Sequence, residues 1–299
     1  MYNPFGDKPR TDIDDDLLVA RAAGGDMQSL EELIGRHQSW IYNIVLRMVY
    51  DPVDAEDCTQ EILIKIMTNL AGFAGRSAFR TWAYRIACNH VLNMKKSMRE
   101  KGRFSSFDGY WEGIENTPDA DFPVDRRYSV DDEILVDEVR QECMMGMLVC
   151  LDREQRLVFI LGALFKIKDV VACEILSISR ANFRQKLSRA RKQIFNFMNE
   201  KCGLINPQNP CLCKRKVKGM IAHGAIDPDK LRFSATYLAA LRDIAPGRVR
   251  TLSSLFEGKV MRLFREQPFL EGPDFVDSLR EILRGREISA IITHPGTTH

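Results

Sequence analysis

The chain has 299 residues, more than one typical domain, with 45% apolar and 28% charged residues, so two or three soluble domains with real cores are expected. Its 43 basic and 41 acidic side chains leave a net charge of +2, which excludes a uniformly basic nucleic-acid coat and leaves local patches to set the partners. No run approaches the roughly 18 to 20 apolar residues of a membrane span, and MYNPFGDKPRTDIDDD has no apolar h-region, so a cytoplasmic protein without a membrane partner is expected.

A loose arm over residues 1–12 gives way to helical patterning from Asp14, with Leu17, Leu18 and Ala22 ahead of a break at Gly24-Gly25. A second helix is predicted from about Met27 to Tyr50, burying Leu30, Leu33, Ile34, Ile41, Ile44, Val45 and Met48, and Asp51-Pro52 ends it. A third runs from near Val53 to Leu70 with Ile62, Leu63, Ile66, Met67 and Leu70 at helical spacing. Its polar first half carries Glu56, Asp57, Gln60 and Glu61, which suits the dipole at a helix N-terminus. That face reads either as plain solvent surface or as a dock for a basic partner. After the loop GFAGRS, a fourth helix spans Ala78 to about Arg99 and ends in the basic MKKSMREKGR. Phe73 beside Arg76, Arg80 and that helix is the combination on which unstacked bases meet aromatics and cations. Phe79 and Trp82 read as core.

Residues 102–132 break all periodicity, and their Gly, Pro and acid content reads as a flexible acidic linker of low order. Helical patterning resumes near Val130 and leads into LDREQRLVFILGALF, with Asp152 as N-cap. From Lys166 to Ile194 the chain reads as two helices around a tight turn. Val170, Val171, Ile175 and Leu176 give the first an apolar face, and Ser179 is a good N-cap for the second. Phe183, Leu187, Ala190 and Ile194 form the second helix's apolar stripe. Arg184, Gln185, Ser188 and Lys192, flanked by Arg180 and Arg189, turn away from it. That is the layout of a helix-turn-helix whose second helix enters the major groove. Arg and Gln can make bidentate contacts to guanine and adenine there. The plainer alternative is a solvated basic helix of an ordinary bundle.

The remaining hundred or so residues begin with EKCGLINPQNPCLCKRKVKGMIAHG. Cys202, Cys211 and Cys213, with His223 downstream, are candidate ligands for zinc or another soft metal; the alternative is reduced thiols in a packed loop. Cys58, Cys88, Cys143, Cys150 and Cys173 lie inside helical patterns and read as core. Three amphipathic helices are then predicted, marked by Leu231, Tyr237, Leu238 and Leu241, by Leu252, Leu255, Phe256, Val260, Leu263 and Phe264, and by Phe275, Val276, Leu279, Ile282 and Leu283.

Three motifs in order carry a family resemblance. AEDCTQEILIKIMTNL, FAGRSAFRTWAYRIACNHVLN and IKDVVACEILSISRANFRQKLSRARKQI together resemble the sequence of a group IV, extracytoplasmic-function sigma factor of the sigma-70 family, over about Leu17 to Asn199. The resemblance implies an all-α protein of two helical modules. One is a sigma2-like four-helix bundle over residues 13–100. The other is a sigma4-like helix-turn-helix over residues 133–200, with the linker at 101–132 between them. A Cys-containing loop at 201–224 and a small helical extension at 225–290 lie beyond the family's reach. It further implies a transcription initiation factor, not an enzyme, that needs no cofactor. Asp57, Gln60 and Glu61 would bind the clamp-helices coiled coil of the polymerase's largest catalytic subunit, and the polymerase flap region is a further contact. Phe73 and Asn89, with Arg76, Arg85 and Lys95, would hold the melted −10 element of promoter DNA. Arg180, Arg184, Gln185, Ser188 and Arg189 would read the −35 duplex. An anti-sigma factor is a further partner of this kind of protein, and the extension is expected to regulate the chain. The competing readings are a free-standing helix-turn-helix regulator and a helical scaffold.

Overall fold

The computed structural model describes Phe5 and residues 15–95, 105–121, 132–233, 256–265, 267, 269–270 and 272–283. Twelve helices occupy these residues, and the described chain contains no β-strand, only an isolated bridge between Cys202 and Cys211. The helices sort into two compact units, the first made of residues 1–95, 167–183 and 271–299 and the second of 96–166 and 184–270.

The first unit is built on α2 (Met27–Val49), whose second half, Trp40 to Val49, is buried on every side. The helices α1 (Asp15–Ala23), α3 (Pro52–Thr68) and α4 (Phe79–Asn93) pack against it. Asp26 caps α2, accepting from the Gln28 N–H at 3.1 Å and the Ser29 hydroxyl at 2.6 Å. Asp51 caps α3 through the N–H of Val53 at 3.0 Å, with Pro52 at the first helical position where its missing donor costs nothing. One guanidinium lies inside this apolar unit. Arg47 is 4% exposed and donates to the carbonyl and side-chain oxygens of Asn43 at 3.1 and 2.7 Å, while burial pushes its pKa down to about 10. It therefore stays charged at neutral pH.

The same unit also holds α8 (Asp169–Leu176), the turn after it and the first turn of α9 (Arg180–Lys201). Ser177 takes the left-handed conformation at φ 55°, and Ile178 donates back to the Cys173 carbonyl at 3.2 Å. Ser179 then caps α9 by accepting from the Asn182 N–H at 3.2 Å, as its sequence position predicts. A final helix, α12 (Phe275–Leu283), packs on α2 and α3.

In the second unit, α6 (Asp132–Val149) and α7 (Arg153–Phe159) are joined by a corner that a buried cation closes. Arg156 donates to the carbonyls of Leu148, Val149 and Leu151 at 2.9, 2.9 and 3.1 Å, satisfying acceptors that the end of α6 leaves open. A π-helical turn over Ile160–Leu164 follows α7. On it sits α11 (Phe256–Arg265), with Phe264 edge-on to Phe159 at 5.5 Å and Arg265 donating to the Ala163 carbonyl at 2.9 Å. α10 (Cys213–Ala222) lies on α6 over a small core of Leu135, Val139, Val217 and Ile226. Glu138 fixes the segment after it by accepting from the backbone N–H groups of Arg232 and Phe233 at 2.6 and 3.1 Å.

The region read as a linker differs from expectation. Residues Phe107–Glu115 form a helix, α5, capped by Ser106 through the Gly109 N–H at 3.2 Å. Its aromatics explain the order. Tyr110 is buried, donates to the Cys143 carbonyl at 3.0 Å and fits over Gly146, where a Cβ would come 2.6 Å from its hydroxyl. The chain behind it is pinned by Lys216, which donates to the Thr117 carbonyl at 2.6 Å and pairs with Asp119 at 3.0 Å. Residues 122–131 and the predicted helix around Tyr237 to Leu241 lie outside the described residues.

Glu142 supplies a test of the second unit. Burial holds its carboxyl up at about 7, against a smaller downward pull from Arg232 at 3.4 Å. A carboxyl raised in the folded state stabilises below its unfolded pKa of about 4.5, and that contribution is lost as pH rises toward 7. Glu142→Gln should flatten the stability profile between about pH 4.5 and 7, removing a slope worth roughly 3 kcal/mol. Thermal melts across that range, compared with the parent, check it.

Candidate nucleic-acid interface

The basic face of α9 is exposed. Phe183, Leu187, Ala190, Ile194 and Met198 are buried, at spacings of three and four residues. Arg180, Arg184, Gln185, Ser188 and Arg189 are all exposed. At about 100° per residue these five cover roughly half of the helix circumference. A rigid helix of 22 residues thus presents three guanidiniums, an amide and a hydroxyl together. Lys186 stands apart from that arc and pairs with Glu154 of α7 at 2.6 Å. The face can reach both phosphates and base edges from one rigid body.

The candidates of the first unit are arranged less simply. Phe73 is half-buried and not a free aromatic. Its ring lies 5.9 Å from Phe79 and 5.3 Å from Trp82. Phe79 is core, as its spacing implies, at 2% exposure. Trp82 is only half-buried and shares one face of α4 with Arg85 and Asn89, three and seven residues on. The structure therefore brings Phe73, Trp82, Arg85 and Asn89 onto one side of the bundle, and Trp82 is the member that reading it as core overlooked. Its i, i+3, i+7 relation to Arg85 and Asn89 is the signal that could have found it. Arg76 and Lys95 are exposed near either end of this face. Arg85 is already engaged, since it donates through Nη2 to the Glu174 carbonyl of α8 at 2.7 Å.

On α3, Asp57 and Glu61 are exposed and Gln60 is half-buried, on a common face. Glu61 comes 3.4 Å from His90 Nε2, whose other nitrogen meets Lys65 at 2.7 Å. Burial, then Lys65, holds the His90 pKa below its usual value, so at neutral pH the ring leaves the Glu61 charge uncompensated.

The four proposed metal ligands are not all gathered at one point. His223 caps the far end of α10 from Cys213, about 15 Å away along a ten-residue helix. Cys202 and Cys211 are joined by a backbone bridge, and Cys143 from α6 adds to the electrostatics of this thiol group. Burial raises all of these thiols, Cys211 to about 11 and Cys213 to about 12. Among the described residues no group of three or more His, Cys, Asp or Glu is arranged to hold a metal ion. No described helix is long and apolar enough to cross a membrane.

Comparison with known proteins bears on this geometry. Residues 33–103 match the family model for sigma-70 region 2, which covers α3, α4 and the Phe73 loop. An RNA polymerase sigma-H factor from Pseudomonas aeruginosa is 40% identical over 83 residues, 28% of this chain and 43% of that protein. An ECF RNA polymerase sigma-E factor from Escherichia coli is 27% identical over 184 residues, 62% of this chain and 94% of that protein. The chain thus spans less than half of the first relative and nearly all of the second. A solved structure of CnrH in complex with the cytosolic domain of CnrY is similar over 62% of this chain and 97% of that one, with 20% identity and a TM-score of 0.44.

The Arg85 bond is open to test. A hydrogen bond from a charged donor contributes about 1.5–3 kcal/mol. Arg85→Ala should therefore speed amide exchange in α8 about tenfold or more, while helicity by circular dichroism stays unchanged.

Proposed function

We propose, from the premise that this chain belongs to the extracytoplasmic-function sigma factors of the sigma-70 family, that it directs core RNA polymerase to promoters by two separate DNA contacts. The exposed cationic arc of α9 carries the reading. Arg180, Arg184, Gln185, Ser188 and Arg189 read the −35 element as duplex, because a rigid helix fits an intact major groove. Reading the −10 element is a different physical task. A flipped base costs a few kcal/mol of unstacking, which a pocket must recover by stacking and hydrogen bonds. Phe73 and Trp82 supply aromatic surface beside the Asn89 amide, with Arg76 and Lys95 for the backbone. Arg85 joins them once α8 releases it. Asp57, Gln60 and Glu61 form the acidic dock for the clamp helices of the polymerase's largest subunit, the second unit meets the flap region, and an anti-sigma factor is a further partner. RNA synthesis belongs to the polymerase.

The direct experiment is transcription in vitro from a library of promoter templates with core polymerase, with and without this chain. Initiation at a defined set of sequences only when the chain is present is the expected result. Duplex binding with no initiation would support a free-standing regulator instead. Within that assay, Arg184→Ala should cost about 1–3 kcal/mol in promoter affinity and relax preference at one upstream position. If Arg184→Ala combined with Arg189→Ala leaves promoter output intact, α9 is not the reader.

A further inference from the structure

The helix α12 is held by side chains that neither the DNA nor the polymerase assignments use. Arg280 grips Glu31 of α2 in a two-pronged pair, Nε to Oε1 and Nη2 to Oε2, both at 2.8 Å. Two turns along α2, Gln38 Oε1 accepts from the Phe275 N–H at 3.0 Å, satisfying one of the donors that the start of α12 leaves open. The two helices therefore run antiparallel. Phe275 and Leu279, one turn apart, are 3% and 2% exposed. The Phe275 ring lies 6.2 Å from Tyr42, and Gly272 passes so close to the same tyrosine that a Cβ would come within 2.8 Å of its ring. This is a short amphipathic helix laid in a groove and anchored by apolar residues and one arginine.

Nine residues are too few to form a stable helix alone in water, so α12 exists because the groove holds it. Its ion pair is partly open to solvent, with Arg280 at 40% and Glu31 at 28% side-chain exposure, so it is screened by salt and can be exchanged for another partner. Its position matters more. Tyr42, under Phe275 and Gly272, also sits within electrostatic reach of Glu56 and Asp51 at the acidic start of α3. α12 also packs on α3 itself, the helix that bears Asp57, Gln60 and Glu61.

We propose that α12 is a tethered ligand of the groove between α2 and α3 and competes with core RNA polymerase for the first unit. The proposal rests on the polymerase-binding reading above. The chain then carries its own brake, and by reciprocity polymerase binding expels α12. Competition needs no metal and no second protein, only that the docked helix and the polymerase share α3.

The test titrates core RNA polymerase into fluorescently labelled full-length protein. The wild type is compared with Arg280→Glu, with Leu279→Asp and with the charge-exchanged pair Glu31→Arg plus Arg280→Glu. Each single variant should bind polymerase roughly 5–150-fold more tightly, the ordinary range of coupling between two sites. The exchanged pair should return toward wild-type affinity. In the wild type, amide exchange across 275–283 should speed up when polymerase binds. Equal or weaker binding by both single variants, with exchange unmoved by polymerase, overturns the proposal and leaves the functional reading standing. If no version binds core polymerase, the functional reading fails and the brake fails with it.

Discussion

The apolar stripe of α9 is the constraint on which the rest of the molecule's reading depends. Phe183, Leu187, Ala190, Ile194 and Met198 must leave water, and burying a large apolar side chain is worth about 1.5–3 kcal/mol. Crowding Arg180, Arg184 and Arg189 on the opposite half costs only tenths of a kcal/mol per like-charge pair. Burial wins, so the cations are turned outward by the core and need no ligand to order them. A helix fixed in this way can offer Gln185 and Ser188 to base edges without paying for alignment at the moment of binding.

The face on α4 obeys a different economy. Phe73 is packed against Phe79 and Trp82, and Arg85 is bound to the Glu174 carbonyl of α8. The proposed upstream reader is thus exposed while part of the proposed downstream reader is engaged elsewhere in the fold. That contrast fits the chemistry of the two targets. Duplex is present at all times, whereas a melted strand exists only after polymerase has arrived. The Arg280 grip on Glu31 places a second restraint on the same unit. Both are small contacts, and small contacts are the ones a larger interface can displace.

Much of this was legible in the residues themselves. Apolar spacing located α2, α3, α4 and α9, and Asp152 and Ser179 act as the caps their positions suggest. The helix α5 was hidden because its stability comes from three aromatics, Phe107, Tyr110 and Trp111, that find Phe197 and Gly146 far along the chain, not from local periodicity. The Cys-x8-Cys-x-Cys spacing suggested a metal, but spacing does not tell which of the candidate ligands the fold brings together. His223 fell outside because a helix intervenes between it and Cys213. Trp82 and Arg85 show the opposite case: Trp82, read as core, is only half-buried, and Arg85, read as a DNA contact, is bound to the Glu174 carbonyl. The Arg85 contact cannot be seen without knowing what α8 packs against.

The most direct test of the central claim is permanganate reactivity of promoter thymines in mixtures of DNA, core polymerase and this chain. The account predicts reactive, unstacked thymines in the downstream element only when polymerase and chain are both present. It also predicts their loss in Phe73→Ala while protection of the upstream duplex by α9 persists. Upstream protection with unreactive thymines in the full mixture would contradict it and leave a duplex-binding protein without a role in opening promoters.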